Sequence, residues 1–393
     1  MAAYPRALLI AATLAVGLVQ HAAAGRPKAA AARSVPAARS TLVYIGTHGG
    51  TGPHDGIFVA RLDQRTGALS DLALAANIVR PTWQVRDPVR PILYSVSETG
   101  NDGKSQGAVY SFAIDRKTGR LRQLGRADSG GGGATHLAYD SASRTVFVAN
   151  YGSGHVSAIP VDANGGLTGV RSVQTDVGSG PHRRQAGPHA HGVTVDPSGR
   201  FVLAADLGAD RIFVYRFDPR TKLLSPAAPA AEVLPPGSGP RHLVFSPDGR
   251  FAFLDTELTG EVFVYRWDAK AGRLTKVFRV AVNPPDFAGE RSAAEVVVSR
   301  DGRFLYVSER GASTLVVYAI DKISGALSEV QRIGAGGTTP WSFAIDPSGR
   351  WLLVANEASS AVAEFSVDPA SGRLTKTDNM LTVPKPVSFA FSR

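Results

Sequence analysis

Residues 135–175 read THLAYDSASRTVFVANYGSGHVSAIPVDANGGLTGVRSVQT. The stretch divides into four apolar runs, HLAYD, RTVFVANY, HVSAIPVD and LTGVRSVQT, separated by Ser, Gly and Asp. Short runs rich in Val, Ile, Phe and Tyr and bounded by turn formers predict four strands joined by hairpins. The third run leads into VDANGGL: an Asp, a few residues, a Gly, then Leu. That string recurs as LDQRTGAL at Asp63, IDRKTGRL at Asp115, FDPRTKLL at Asp218, WDAKAGRL at Asp268, IDKISGAL at Asp321 and VDPASGRL at Asp368. With Asp162 there are seven copies, 47 to 56 residues apart, and only Lys222 departs from the Gly. A second turn recurs as DPSGR at Asp196 and Asp346, SPDGR at Ser246 and SRDGR at Ser299. No segment of the body keeps a helical period for ten residues.

Seven units of about fifty residues, four strands each, predict an all-β fold: a seven-bladed β-propeller with four antiparallel strands per blade. The ends of the chain test this. PVSFAFSR (386–393) reads as an inner strand with nothing after it, and TLVYIGTHGG (41–50) as a second strand. The C-terminal strand is therefore expected to join the N-terminal blade and close the ring, leaving no open sheet edge.

The formal charge of +10 raises the question of nucleic acid. Half of it comes from Arg6, Arg26, Lys28, Arg33 and Arg39, in a stretch with no acid, and the body carries no Lys/Arg block. No nucleic-acid partner is expected. The first 24 residues hold one Arg, the apolar run ALLIAATLAVGLV and the small residues HAAA, the pattern of a secretory signal peptide. Residues 25–40 are Ala/Arg/Pro-rich and read as a leader, leaving 41–393 as the folded domain. A periplasmic or secreted protein, not held at a membrane after cleavage, is expected. The chain has no Cys, so no disulfide is available. The sequence leaves the oligomeric state open.

In a propeller the start of the inner strand and the end of the second strand meet on one face. In register, the inner-strand column reads Thr82-Trp83, Thr135-His136, His191-Gly192, Arg241-His242, Ala294-Glu295, Trp341-Ser342 and Val387-Ser388. The second-strand column reads His48, Glu98, Tyr151, Leu207, Glu257, Arg310 and Glu357. Four His, four Glu and two Arg thus converge near one axis, where each shifts the ionisation of the others. The competing reading is that these are salt bridges closing the ring. The entry loop GSGPHRRQAGPHAHG (178–192) brings His182, Arg183, Arg184, Gln185 and His189 over the same face. There is no GxSxG elbow, no Cys nucleophile and no HExxH, and GGGG (130–133) opens no helix. A divalent cation on Glu98, Glu257, Glu295 or Glu357 is compatible with the columns.

At these residues the chain resembles the seven-bladed propeller lactonase family. That family includes propeller-type 6-phosphogluconolactonases and, more distantly, fungal carboxy-muconate lactonizing enzymes. The strings that carry the likeness are YIGTH, VANYGSG, RRQAGPHAHGV, DPSGRFVLAADLGADRIFVYRFD, PPGSGPRHLVFSPDGRF, TELTGEVFVY, VSRDGRFLYVSERG and LLVANE, across about 41–393. The resemblance implies His191, Arg241, Glu257 and Arg310 as catalytic residues. Around them His136, Arg184, Gln185, His189, His242, Glu295 and Trp341 are expected to bind substrate. It implies hydrolysis of a sugar lactone, with a small-molecule lactone or carboxylate as the partner and no required cofactor or metal. A muconate-type cycloisomerase, or a propeller that only binds a ligand or envelope partner, uses the same face. Trp341 stands where members often carry Arg, which weakens the expectation of a phosphorylated substrate.

Overall fold

The computed structural model of the chain describes residues 40–49, 52 and 55–392. The expected signal segment and nearly all of the leader, residues 1–39, lie outside these. The described residues form strands β1–β28 in seven four-stranded antiparallel sheets. In the first, β1 (Ser40–Thr47), β2 (Ile57–Asp63) and β3 (Leu69–Ala76) take β28 (Pro386–Phe391) as inner strand. Tyr44 pairs with Ala390 and Ile45 with Phe389, so the C-terminal strand closes the ring in the expected way.

The other inner strands are β4 (Gln84–Arg86), β8 (Ala134–Asp140), β12 (Ala190–Val195), β16 (Pro240–Phe245), β20 (Ala293–Val298) and β24 (Pro340–Ile345). Each is followed by a second strand: β5 (Ile92–Ser97), β9 (Thr145–Asn150), β13 (Phe201–Asp206), β17 (Phe251–Thr256), β21 (Phe304–Glu309) and β25 (Trp351–Asn356). Strands β5, β9, β13, β17 and β21 are buried along their whole length, sandwiched by neighbouring blades. Their near-continuous apolar runs follow from that double burial. The core is correspondingly divided into seven clusters, each joining two adjacent blades. Burial of side chains such as Phe147, Phe201, Phe253 and Tyr318 holds blade to blade. Each contributes roughly 1.5–3 kcal/mol.

The recurring Asp explains itself as a turn. Its Oδ1 accepts the amide two residues on in all seven copies, from Arg65, Lys117, Asn164, Arg220, Lys270, Ile323 and Ala370. The following Gly sits at positive φ, for example 71° at Gly272, and Lys222 is held at 64° in its place. Lys222 Nζ donates to the Ser143 carbonyl at 2.6 Å, a compensation glycine lacks.

One expectation is too long. LTGVRSVQT yields only β11 (Ser172–Thr175), because Gly169 at φ 94° breaks the run and Leu167 makes an isolated bridge to Val161. The outermost strand of a blade has one neighbour to hold it and tolerates the loss.

Candidate active site

Backbone geometry aligns the two columns. In every blade the amide of the second-strand column donates to the carbonyl of the residue leading into the inner strand. The pairs are His48 to Lys385, Glu98 to Arg80, Tyr151 to Gly133, Leu207 to His189, Glu257 to Gly239, Arg310 to Ser292 and Glu357 to Thr339. A β-bulge follows at the start of five inner strands, between Ala134 and His136, Ala190 and Gly192, Pro240 and Leu243, Ala293 and Val296, and Pro340 and Ser342. Bulges re-aim side chains. Here they turn His191, Arg241, His242, Glu295 and Trp341 toward the axis. Buried carboxylates hold the kinked backbone. Asp206 Oδ1 accepts the His189 amide at 2.8 Å, and Asp255 Oδ1 accepts the His242 amide at 2.7 Å.

Glu257 is the centre. Its Oε1 lies 2.5 Å from Arg184 Nη1 and 2.9 Å from Arg310 Nη2. Its Oε2 lies 3.2 Å from Arg241 Nε and 3.7 Å from His191 Nε2. Burial alone would raise its pKa, but Arg310, Arg241 and Arg184 overcome that and pull it to about 2. Three guanidiniums against one carboxylate leave the pocket net positive. Arg310 approaches Glu257 off the hydrogen-bonding angle, so its buried Nε and Nη2 have no hydrogen-bond acceptor in the protein. The indole of Trp341 lies under the Arg310 guanidinium at 4.5 Å, with the His48 ring edge-on at 4.4 Å. Arg184, Glu257, Arg310 and Trp341, with Glu290, Ser292, Gly311 and Thr339, line an upper pocket of about 410 Å³.

His191 is buried, and its Nδ1 has no hydrogen-bond partner. Burial, then the charges of Arg241 and its neighbours, hold its pKa well below the ordinary imidazole value. It is therefore neutral at pH 7. Tyr151 supports it edge-on at 5.7 Å and accepts two hydrogen bonds from Arg184 at its hydroxyl, 3.2 and 2.9 Å.

The structure brings His191, Arg241, Glu257, Arg310, Arg184 and Trp341 together. It places the remaining expected residues elsewhere. Gln185 is fully buried and consumed by its own loop. Its Nε2 donates to Leu207 O and Asp210 Oδ1, and its Oε1 accepts the His182 amide, so no polar atom is left for a substrate. His189 stacks on Tyr151 at 4.5 Å, and its Nδ1 bonds the Tyr151 carbonyl at 2.7 Å. A carbonyl only accepts, so Nδ1 carries the proton and His189 orients Tyr151. His136, His242 and Glu295 line a separate chamber of about 560 Å³, with Trp83, Val85, Val193 and Phe245. Glu98 pairs with Arg80 and Asn101, and Glu357 with His48, outside the Glu257 cluster. The sequence reading gave no role to Tyr151, although its column position placed it at the site. Asp206 and Asp255 carried no signal beyond their burial in apolar runs.

Among the described residues no group of three or more His, Asp or Glu is arranged to hold a metal ion. No helix among them is long and apolar enough to cross a membrane.

The family model for seven-bladed β-propeller lactonases matches residues 42–391. The chain belongs to that family. The chain is 34% identical to the 6-phosphogluconolactonase of Bacillus subtilis over 305 residues, 78% of this chain and 85% of that protein. It is 30% identical to the 6-phosphogluconolactonase of Formosa agariphila, over 78% of this chain and 86% of the relative. Among solved structures, the periplasmic gluconolactonase of Pseudomonas aeruginosa superimposes with a TM-score of 0.85 at 37% identity, covering 90% of this chain and 99% of that one. Membership carries the reaction class, hydrolysis of a lactone.

Blade spacing at this site has no slack. A Cβ on Gly192 would sit 2.4 Å from the Arg241 carbonyl oxygen in the next blade. Gly192→Ala is expected to cost roughly 1–3 kcal/mol, seen as a lower melting temperature. It also parts His191 from Arg241, so lactonase activity falls with it.

Proposed function

We propose that the protein opens an aldonolactone to its open-chain acid, with His191 as general base and the arginines as oxyanion and product-carboxylate site. One observation carries this: a buried carboxylate held by three guanidiniums, with an unpartnered His191 beside it. Glu257 at about pKa 2 is too weak a base to take a proton from water. Neutral His191 is the better acceptor. Its imidazolium, formed in the transition state, has Glu257 Oε2 at 3.7 Å to steady it. Arg310 and Arg184 stabilise the tetrahedral oxyanion, and Arg241 fixes Glu257 from below. The proton on His191 then returns to the leaving ring oxygen. No step in this scheme calls on a metal.

The pocket favours a sugar lactone without a phosphate. Trp341 offers an apolar face to ring C–H groups, and the lining carboxylate of Glu290 opposes a dianion. The likeness to a protein described as a periplasmic gluconolactonase and the signal pattern in residues 1–24 both support action in the periplasm. A panel of aldonolactones with and without a 6-phosphate, assayed with EDTA and with Ca²⁺, tests the reading. Hydrolysis of the neutral lactones, insensitive to EDTA, is expected. No turnover of any lactone, or turnover of muconates instead, would overturn it.

The pH dependence follows from His191. Its folded pKa is depressed, so the active neutral form persists below the ordinary value of about 6.5. The acid limb of kcat/KM is therefore expected below pH 6.5, and a limb above that value would contradict the assignment.

A further inference from the structure

Asp176 follows β11 and Asp206 ends β13, on two adjacent blades. Both are buried, and their carboxyl groups lie within hydrogen-bonding reach of each other. Asp206 Oδ1 accepts the His189 amide at 2.8 Å and the Ala209 amide at 2.7 Å. Asp176 Oδ1 accepts the hydroxyl of Tyr215 on β14 (Arg211–Asp218). The remaining oxygens, Asp176 Oδ2 and Asp206 Oδ2, have no donor in the protein. Two other blades show what this position needs. Asn150 and Asn356 end β9 and β25 as Asp206 ends β13, and each reaches the residue after the outermost strand of the preceding blade. Asn150 Nδ2 donates to the Ser129 carbonyl at 3.3 Å, and Asn356 Nδ2 to the Ala335 carbonyl at 3.0 Å. Asp206 has no N–H to give. Two buried carboxylates in contact do not both stay ionised, so the donor across this seam is a proton held between them.

Resting on the His191 reading above, we propose that Asp176 and Asp206 share one proton across the blade seam and act together as positioning residues for His191. The link to His191 runs through the backbone. Asp206 holds the His189 amide and pairs with Ala190, and the bulge between Ala190 and Gly192 presents the imidazole. Without the shared proton the two carboxylates repel, and the bulge loses its anchor. The other titratable groups around the pair are Tyr215, His189 and Tyr151, with His155 opposite Thr175, next to Asp176. Arg211 stands opposite Asp206 in the register, but its Nη1 donates to the Val177 and Ala209 carbonyls at 3.0 and 3.2 Å. Burial, then the charge of Asp206, pushes the Asp176 carboxyl well above the usual carboxylate range. The folded state thus keeps a proton that an unfolded Asp176 gives up above pH ~4. The stability the pair contributes is complete in acid and declines as pH rises toward the raised folded value.

Asp176→Asn makes the donor permanent: its amide N–H serves Asp206 Oδ2 and its oxygen serves the Tyr215 hydroxyl. Its kcat and KM at neutral pH are expected to match wild type. Its melting temperature should lie close to that of wild type at pH ~4 and exceed it by a margin that widens toward pH ~8. Asp176→Leu offers no donor. It is expected to lower kcat about tenfold with KM little changed, because the base is displaced while the arginines and Trp341 stay. A pair that served only as packing would show no widening with pH. Parallel melting temperatures across that range, or a kcat in Asp176→Asn as low as in Asp176→Leu, overturn the shared proton. So does a rise in wild-type melting temperature with Ca²⁺ that Asp176→Asn lacks, since a cation would then bridge the carboxylates. If Asp176→Leu does not fold, the comparison of Asp176→Asn with wild type decides alone. If His191→Asn is fully active while the widening is seen, the failure lies instead with the reading of the base.

Discussion

Glu257→Gln is expected to lower both activity and stability, and it is the substitution with the largest combined effect. The amide keeps the shape but removes the one negative charge among Arg184, Arg241 and Arg310. All three sit within hydrogen-bonding distance of the carboxylate, and Glu257 is only 4% exposed, so solvent does not screen the loss. Breaking a buried pair from one side costs roughly 3–5 kcal/mol. The guanidiniums then repel one another, and Arg310 and Arg241 leave their places beside Trp341. A kcat/KM loss of about 10³ is expected, comparable to removing an oxyanion donor, together with a fall of several degrees in melting temperature. Wild-type stability with full activity would show that the arginines are held by other contacts.

His191→Asn should leave stability almost untouched. The imidazole Nδ1 has no partner, and the ring is kept neutral against four nearby charges or rings, so its loss sacrifices no hydrogen bond. The melting temperature is expected to stay near that of the wild type while kcat falls by ~10²–10⁴. Substrate binding should change little, because the arginines and Trp341 remain. Retained kcat in this variant would remove His191 from the chemistry and return the question of the base to Glu257.

The fold was legible because its two signals are local. An Asp-capped turn and short apolar runs repeat seven times, and an orphan strand at each end of the chain can satisfy its edge only with the other. The height of His191, Arg241, Glu257 and Arg310 along the axis was legible too, from their place relative to those turns. Which of the two cavities each side chain enters was not. Arg241 and His242 are consecutive, yet a bulge sends one up against Glu257 and the other down into the chamber. A bulge is a property of strand register, which the residues at that point do not announce. Gln185 misled for a different reason. A polar residue in an entry loop looks available, but its amide matches the donors and acceptors of the loop itself, and the folded loop uses all of them.

The pairing of β28 with β1 fixes when the molecule can be finished. The first blade lacks its inner strand until residues 386–391 have left the ribosome, so two sheet edges stay unsealed throughout synthesis. A polypeptide that cannot latch early remains threadable. The toroid therefore cannot close before its last strand is made.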